Sequence, residues 1–357
     1  MMLRLPLPLG ILVAASIAFL ACSSSDFKVN QPTNDGGDET ATGDTAAGDG
    51  DSLGETAPGA CDDEAGVAKF CVTVQLDSAR PKYDAASGAG PLNIDGKGHV
   101  FVFLYEKDPG SLKSGDPLKP KTILQYPPPE KVGAEVDVAD LPITISGTAP
   151  ARDYWIIAAF EDNVKDKRGD REQNLLAGDF ILVPTLLPDG KTVTWPKVTL
   201  TDGKAVKLPL TLKANRRVDV TLGSAAEMKL TYKDYQVNGD GPVVFGLYDG
   251  PIEKAVFLDF ELTRCINASP LGFAPPTNLT SFNTTVDGSH KLLIALIDYE
   301  FGDPFPNRGT LLAPTDAVNA PTVDISSSSW ISSTKAKFTQ VIDPYTAAEK
   351  TDLMHCP

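Results

Sequence analysis

Histidine and cysteine are both scarce in this 357-residue chain. It holds three histidines, His99, His290 and His355, and five cysteines. No two cysteines stand in CxxC spacing, so the common ligand pattern of structural zinc and of thiol redox catalysis is missing. No HExxH, GxSxG or Cys/His arrangement occurs either, and metalloprotease, serine hydrolase and cysteine nucleophile chemistry lack their signatures. His99 and His290 border apolar runs, where a solvated turn histidine is the ordinary reading. GPLNIDGKG, from Gly90, imitates a phosphate loop. It has one residue too many between its glycines, however, and Gly98 stands where a magnesium-binding hydroxyl belongs. That stretch reads as a hairpin turn instead.

Helical periodicity is also sparse. SAAEMKL near Ala225 and PYTAAEKTDLMH near the C-terminus are the best short candidates. Nothing after residue 22 is long and apolar enough to span a bilayer as a helix.

Charge is plentiful but unevenly placed. Residues 23–66 carry eleven acids and one lysine, a net charge of −10. The first 22 residues carry +1 and the whole chain −15, which leaves only −6 on residues 67–357. Residues 23–60 are Gly, Ser, Thr, Ala and Asp with few large apolar side chains, a composition that cannot offset the entropy of ordering. They are expected to form a disordered acidic tether spanning roughly 30–40 Å. The acidity argues against nucleic acid and against bare anionic lipid as partners.

Beyond the tether two passages run in parallel. FCVTVQLDSA at Phe70 answers RRVDVTLGSA at Arg216, and GHVFVFLY at Gly98 answers GPVVFGLY at Gly241. WIIAAFED ending at Asp162 answers KLLIALID ending at Asp298, and LLA recurs at Leu175 and Leu311. The matches come in order with nearly constant spacing, which predicts a tandem duplication. Val72, Val74 and Leu76 alternate with polar residues, as do Leu208, Leu210 and Leu212, so these stretches read as strands, and each copy is read as β-rich. DGK at Asp95, Asp189 and Asp202 marks tight turns, and 29 prolines suit sheet edges and loops. The expected fold class is all-β: two tandem related β-sandwich domains, 61–213 and 214–357, after a leader (1–21) and the tether (22–60). In each copy a strand ends in Tyr, and a later strand ends in Asp before a polar loop. That order resembles the transthyretin-like and immunoglobulin-like modules of bacterial envelope proteins.

The N-terminus reads MMLRLPLPLGILVAASIAFLACSSSD: one positive charge, a short apolar core, then small residues. That is the pattern of an export signal rather than of a fold element. FLAC, at Phe19 to Cys22, resembles the lipobox of bacterial lipoproteins. The resemblance implies cleavage before Cys22, diacylation of its sulfur, and a membrane partner reached through that lipid. With Ser23 after the cysteine it implies the outer membrane or cell surface. An exported chain also favours disulfides. Four cysteines follow the tether and allow three pairings; pairing within each copy, Cys61 with Cys71 and Cys265 with Cys356, is expected.

One stretch invites chemistry. In FEDNVKDKRGD, Asp162, Asn163, Asp166 and Asp170 are hard oxygen donors that could curl around calcium. The spacing is not that of an EF-hand, and Lys165, Lys167 and Arg168 stand among the acids. The structural alternative makes Asp162 and Asp298 equivalent strand ends, each accepting hydrogen bonds from backbone N–H groups of the loop that follows. These residues point first to a non-catalytic surface lipoprotein that presents sandwich loops to an envelope protein or a glycan. A surface hydrolase with acids in a loop cluster or an interdomain cleft is the alternative.

Overall fold

The computed structural model describes residues 61–83, 94–111, 120–128, 131, 134–162, 177–186, 193–222, 240–252, 255, 257–267, 279–296 and 310–341. Regular structure there is strand, apart from two 3-10 turns at Pro109–Ser111 and Val138–Asp140. No helix among the described residues is long and apolar enough to cross a membrane.

The first half contains β1 (Lys69–Leu76), β2 (Lys97–Tyr105), β3 (Thr122–Tyr126), β4 (Val136–Asp137), β5 (Ile143–Thr148) and β6 (Asp153–Asp162). It continues with β7 (Phe180–Ile181), β8 (Thr185–Leu186), β9 (Val193–Thr194), β10 (Lys197–Thr199) and β11 (Ala205–Ala214). β1 lies between β5, antiparallel, and β11, parallel. On the other side, β2 runs antiparallel to both β3 and β6, β10 extends β6, and β4 pairs with β2. β7 then bridges β6 to the last two residues of β11, so β11 belongs to both layers. β8 and β9 form a separate hairpin.

The second half contains β12 (Arg216–Leu222), β13 (Asp240–Tyr248), β14 (Phe257–Asn267), β15 (Leu279–Thr284) and β16 (Gly288–Leu296). After these come β17 (Leu311–Leu312), β18 (Thr322–Ile325), β19 (Ile331–Ala336) and β20 (Gln340–Val341). β12 lies between β15, antiparallel, and β19, parallel. β13 runs between β14 and β16, β18 extends β16, and β17 bridges β16 to β20. This is the pairing scheme of the first half, with β19 and β20 in the place of the single strand β11.

Alternation decides the registers. β2 exposes and buries residues in turn, so Val100, Val102 and Leu104 enter the core with Val72, Val74, Ile156 and Phe160. A slip of one residue would turn that set to the outside, at about 1.5–3 kcal/mol per large side chain. In the second half Val218, Val220, Phe245, Ile294 and Leu296 form the corresponding core. The opposite face of β13 and β16 is covered as well, with Val244, Tyr248, Leu293 and Ala295 packed beside Ile252 and Phe257. The unbroken apolar run KLLIAL is thus buried on both sides, as its composition suggests.

One register expectation is corrected. Leu311 pairs with Leu296, and the residue in the same relation to Phe160 is Phe180, not Leu175. The loop after β6 is therefore longer in the first half, and the repeated LLA is a coincidence of composition. Two of the Asp-Gly sites have the expected backbone: Gly96, which leads into β2, and Gly203, which leads into β11, both have φ 76°, a conformation that a side chain would strain, while Asp189 lies outside the described residues. Cys61 and Cys71 are joined in a disulfide with Cα atoms 5.9 Å apart. Cys265 lies in β14; Cys356 falls outside the described residues, as do both helix candidates and Asp298.

Candidate functional site

Polar groups converge where β6 ends. Asp162 is the last residue of β6 and pairs with Gly98 of β2. Its carboxylate accepts the Gly96 N–H at 2.8 Å and, at 3.4 Å, the Asp95 N–H. The backbone N–H of Asp162 in turn donates to Asp179 Oδ1 at 2.8 Å. Both acids are buried, Asp162 at 8 % and Asp179 at 3 % exposure. Burial, and then the charge of Asp95, push the Asp162 carboxyl up to about 7, although the backbone donors pull the other way. Tyr83 closes the corner, with its hydroxyl donating to Gly178 O at 3.3 Å. Burial first, and Asp162 second, raise that phenol above its ordinary range.

Two donors to Asp162 come from the turn before β2, which the sequence did not suggest; the loop after β6, where donors are expected, lies outside the described residues. A strand-end aspartate can reach sideways across the sheet because its neighbour strand starts there, and the Asp95–Gly96 turn points two N–H groups at it. Asp179 was not singled out in the sequence; the only cue was an acid directly before an apolar pair.

From Asp179 the network runs into the junction of the two halves. Asn215 is the single residue between β11 and β12; its N–H donates to Asp179 O at 2.8 Å, and Gly178 N–H donates to Asn215 O at 3.1 Å. Arg216 follows, almost fully buried, with Nη2 donating to Ala79 O at 2.8 Å and Nη1 reaching the carbonyls of Ala214 and Thr285. Its nearest acid is Asp287, at 3.9 Å. Neutral carbonyls rather than a tight ion pair therefore hold its Nη1 and Nη2, and burial lowers the guanidinium from its usual value. Trp330, in the turn between β18 and β19, packs on Tyr83 (centroids 5.3 Å apart) and edge-on to Phe180 (5.8 Å). The second half therefore seats an indole directly on the acidic corner of the first.

This arrangement is a tie between chain segments. The Asp162 and Asp179 oxygens named above accept backbone N–H groups, the reverse of the cation that a calcium site would place there. Among the described residues no three His, Cys, Asp or Glu side chains are grouped to hold a metal ion. Asn163, Asp166 and Asp170 lie outside those residues. Of the histidines, His99 stacks beside Phe101, and His290 bonds Asp249 and the Asp287 carbonyl. The sequence brought Asp162 forward, while Asn215, Arg216 and Trp330 became visible only through packing.

No family model and no curated protein matches the chain. Among solved structures, a leucine-rich repeat protein of Bacteroides thetaiotaomicron aligns over 78% of this chain and 27% of its own, with 8% identity and TM-score 0.27. A second protein of that organism, proposed to bind polysaccharide, aligns over 78% and 94% with 11% identity and TM-score 0.23. A streptococcal ancillary pilin aligns over 77% and 63% with 11% identity and TM-score 0.22. The chain thus spans about a quarter of the first and under two thirds of the third. Scores this low carry no argument about function or assembly. The all-β architecture stands on the strand pairings themselves.

Proposed function

We propose that this chain is a lipid-anchored, non-catalytic cell-envelope protein that holds two tandem β-sandwiches away from a bacterial membrane for binding or assembly. In this reading residues 1–21 are removed on export, Cys22 carries the lipid, and 22–60 form the tether. Residues 61–213 and 214–357 are the two sandwiches. The observation that carries it is the junction: one residue, Asn215, separates β11 from β12, and Arg216 and Trp330 lock the halves together. A stiff pair behind a long polar segment suits presentation of loops at a distance. Buried acids spent on backbone N–H groups, rather than facing a cleft, favour it over the hydrolase reading. The partner on this reading is an envelope protein or a glycan, and the place is the outer membrane or cell surface.

Fractionation of cells expressing the Cys22→Ser variant tests the anchor. Two or three acyl chains contribute about 0.8 kcal/mol for each buried methylene, enough for stable attachment. The variant should appear as soluble protein or as uncleaved precursor. A variant that matures and fractionates like the wild type defeats the anchor.

A further inference from the structure

The sheet β5-β1-β11 contains no aspartate or glutamate in any of its three strands, whereas the chain as a whole is strongly acidic. Its outer face carries Lys69, Lys207 and Lys213, with Lys204 at its foot. Lys207 and Lys213 are exposed, and no described acid forms an ion pair with either. The outer face of the matching sheet in the second half is different: there Asp219 neutralises Arg217 at 2.6 Å, which leaves the single Lys335 opposite Thr221. The face of the first half is the more strongly basic of the two.

The acidic segment is fastened to that same face. Cys71 sits opposite Lys207 in the β1–β11 ladder, so the two side chains share a side of the sheet. The disulfide therefore pins Cys61, where the segment ends, onto the face itself and next to Lys207. The acids that follow Cys61 already use it: Asp63 pairs with Lys204 at 2.7 Å and accepts the Ala205 N–H, and Glu64 pairs with Lys69 at 2.7 Å. Lys204 and Lys207 both help to hold the Asp63 carboxyl below its ordinary value, the Lys204 bond most of all.

We propose that the acidic segment upstream of Cys61 folds back across this acid-free face as an intramolecular strap, pairing Glu55, Asp51 and Asp49 with Lys207 and Lys213. The reach is sufficient. Lys207 and Lys213 are six residues apart on β11, about 20 Å. Glu55 lies six residues before Cys61, and an extended chain of that length also covers about 20 Å. Tethering raises the effective concentration of these acids at the face to the millimolar range, so that weak individual pairs add up. The strap shortens the working length of the tether at low ionic strength and releases it as salt screens the pairs. It does not depend on lipid at Cys22.

Zero-length carbodiimide cross-linking of the full mature chain, read by peptide mass spectrometry, tests it. At about 10 mM salt, cross-links from Glu55, Asp51 or Asp49 to Lys207 and Lys213 should exceed those to Lys121 and Lys197 by at least about tenfold. They should fall to the background level at about 0.5 M salt, where the screening length is only a few ångströms. Lys207→Gln with Lys213→Gln should remove them while leaving the Asp63–Lys204 cross-link. Cys61→Ala, which lifts the staple, should reduce them severalfold. Cross-links spread evenly over all lysines, or none from the segment upstream of Cys61, overturn the strap. Cross-links to these lysines found only between two chains overturn it too, by assigning the face to a second copy.

Discussion

The residue before the last long strand of each half does the same thing and receives something different. Lys204 O accepts the Lys69 N–H, and Trp330 O accepts the Arg217 N–H, so each turn closes the parallel ladder of its own half. In the first half that turn meets the end of the acidic segment: Lys204 takes Asp63, and the Cys61–Cys71 disulfide lies close by. In the second half it meets the whole first sandwich, with Trp330 on Tyr83 and Phe180 and Arg216 on Ala79. The same corner serves as the attachment point for whatever precedes the fold. Where the upstream chain is acidic and polar, it is fastened by a covalent staple and surface ion pairs. Where the upstream chain is a folded sandwich, it is fastened by aromatic packing and a buried guanidinium.

The comparison breaks most visibly at Arg216. Arg216→Ala leaves the Ala79 carbonyl without its donor and opens a void in a packed junction. Unsatisfied carbonyls cost about 1–3 kcal/mol each, and the cavity adds to that. The expected loss is about 4 kcal/mol, and calorimetry should show one transition resolving into two as the halves melt apart. Arg216→Met fills the volume and removes a buried charge, so its loss should be about half as large. A single shared transition with less than 1 kcal/mol lost in Arg216→Ala would mean that the junction does not couple the halves.

Removing the staple sharpens the other side. The Cys61→Ala, Cys71→Ala double variant opens a loop of ten residues, for which chain entropy gives about 2.5–3 kcal/mol. The loss should be confined to the first half, because the second has a folded neighbour in place of the staple. In the Arg216→Ala background, only the transition of the first half should move. An equal shift of both transitions would contradict local fastening.

Much of this architecture was legible, and the illegible part has a physical cause. Val72, Val74, Val100 and Val102 announce strands because period-2 alternation and one buried face are the same fact. The ordered matches at Gly98 and Gly241 anticipate that Val100 faces Phe160 as Val243 faces Leu296. LLA misled because three small apolar residues carry no register information; only the hydrogen-bonded partner of Leu311 does. Alternation puts Arg216 on the inner side of β12 with Val218 and Val220, and Arg217 on the outer side with Asp219. What the pattern does not carry is the partner: a guanidinium on a core-facing position finds the Ala79 carbonyl 137 residues upstream, and that is a property of the assembled junction. Asp162 was found for its position at a strand end, but its donors lie 66 and 67 residues upstream, beyond any local pattern.

The smallest expected effect is at Asp162, and pH reads it. Directly before Phe180 the first half buries Asp179, whereas directly before Leu311 the second buries Thr310, so among the described residues this corner is acidic in the first half only. Folding raises the Asp162 carboxyl from 3.8 to about 7, chiefly through burial. The folded state therefore holds this proton more tightly than the unfolded chain. The stability it contributes is complete below about pH 4 and is lost as pH rises through about 7. Asp162→Asn keeps an acceptor for the Gly96 N–H and cannot ionise; it should match the wild type near pH 4 and melt higher near pH 8. Asp162→Ala orphans the buried Gly96 N–H and should cost about 1 kcal/mol near pH 5. Melts of both variants from pH 4 to pH 8 check the sign, and a wild-type melting profile that Asp162→Asn leaves unchanged at every pH refutes it. Repeating the series in chelator and in millimolar calcium adds one more discrimination. A ligand of the native state raises the melting temperature by mass action. A calcium-dependent rise abolished by Asp166→Ala and by Asp170→Ala would make the loop after β6 an ion site, with Asp162 as its inner wall.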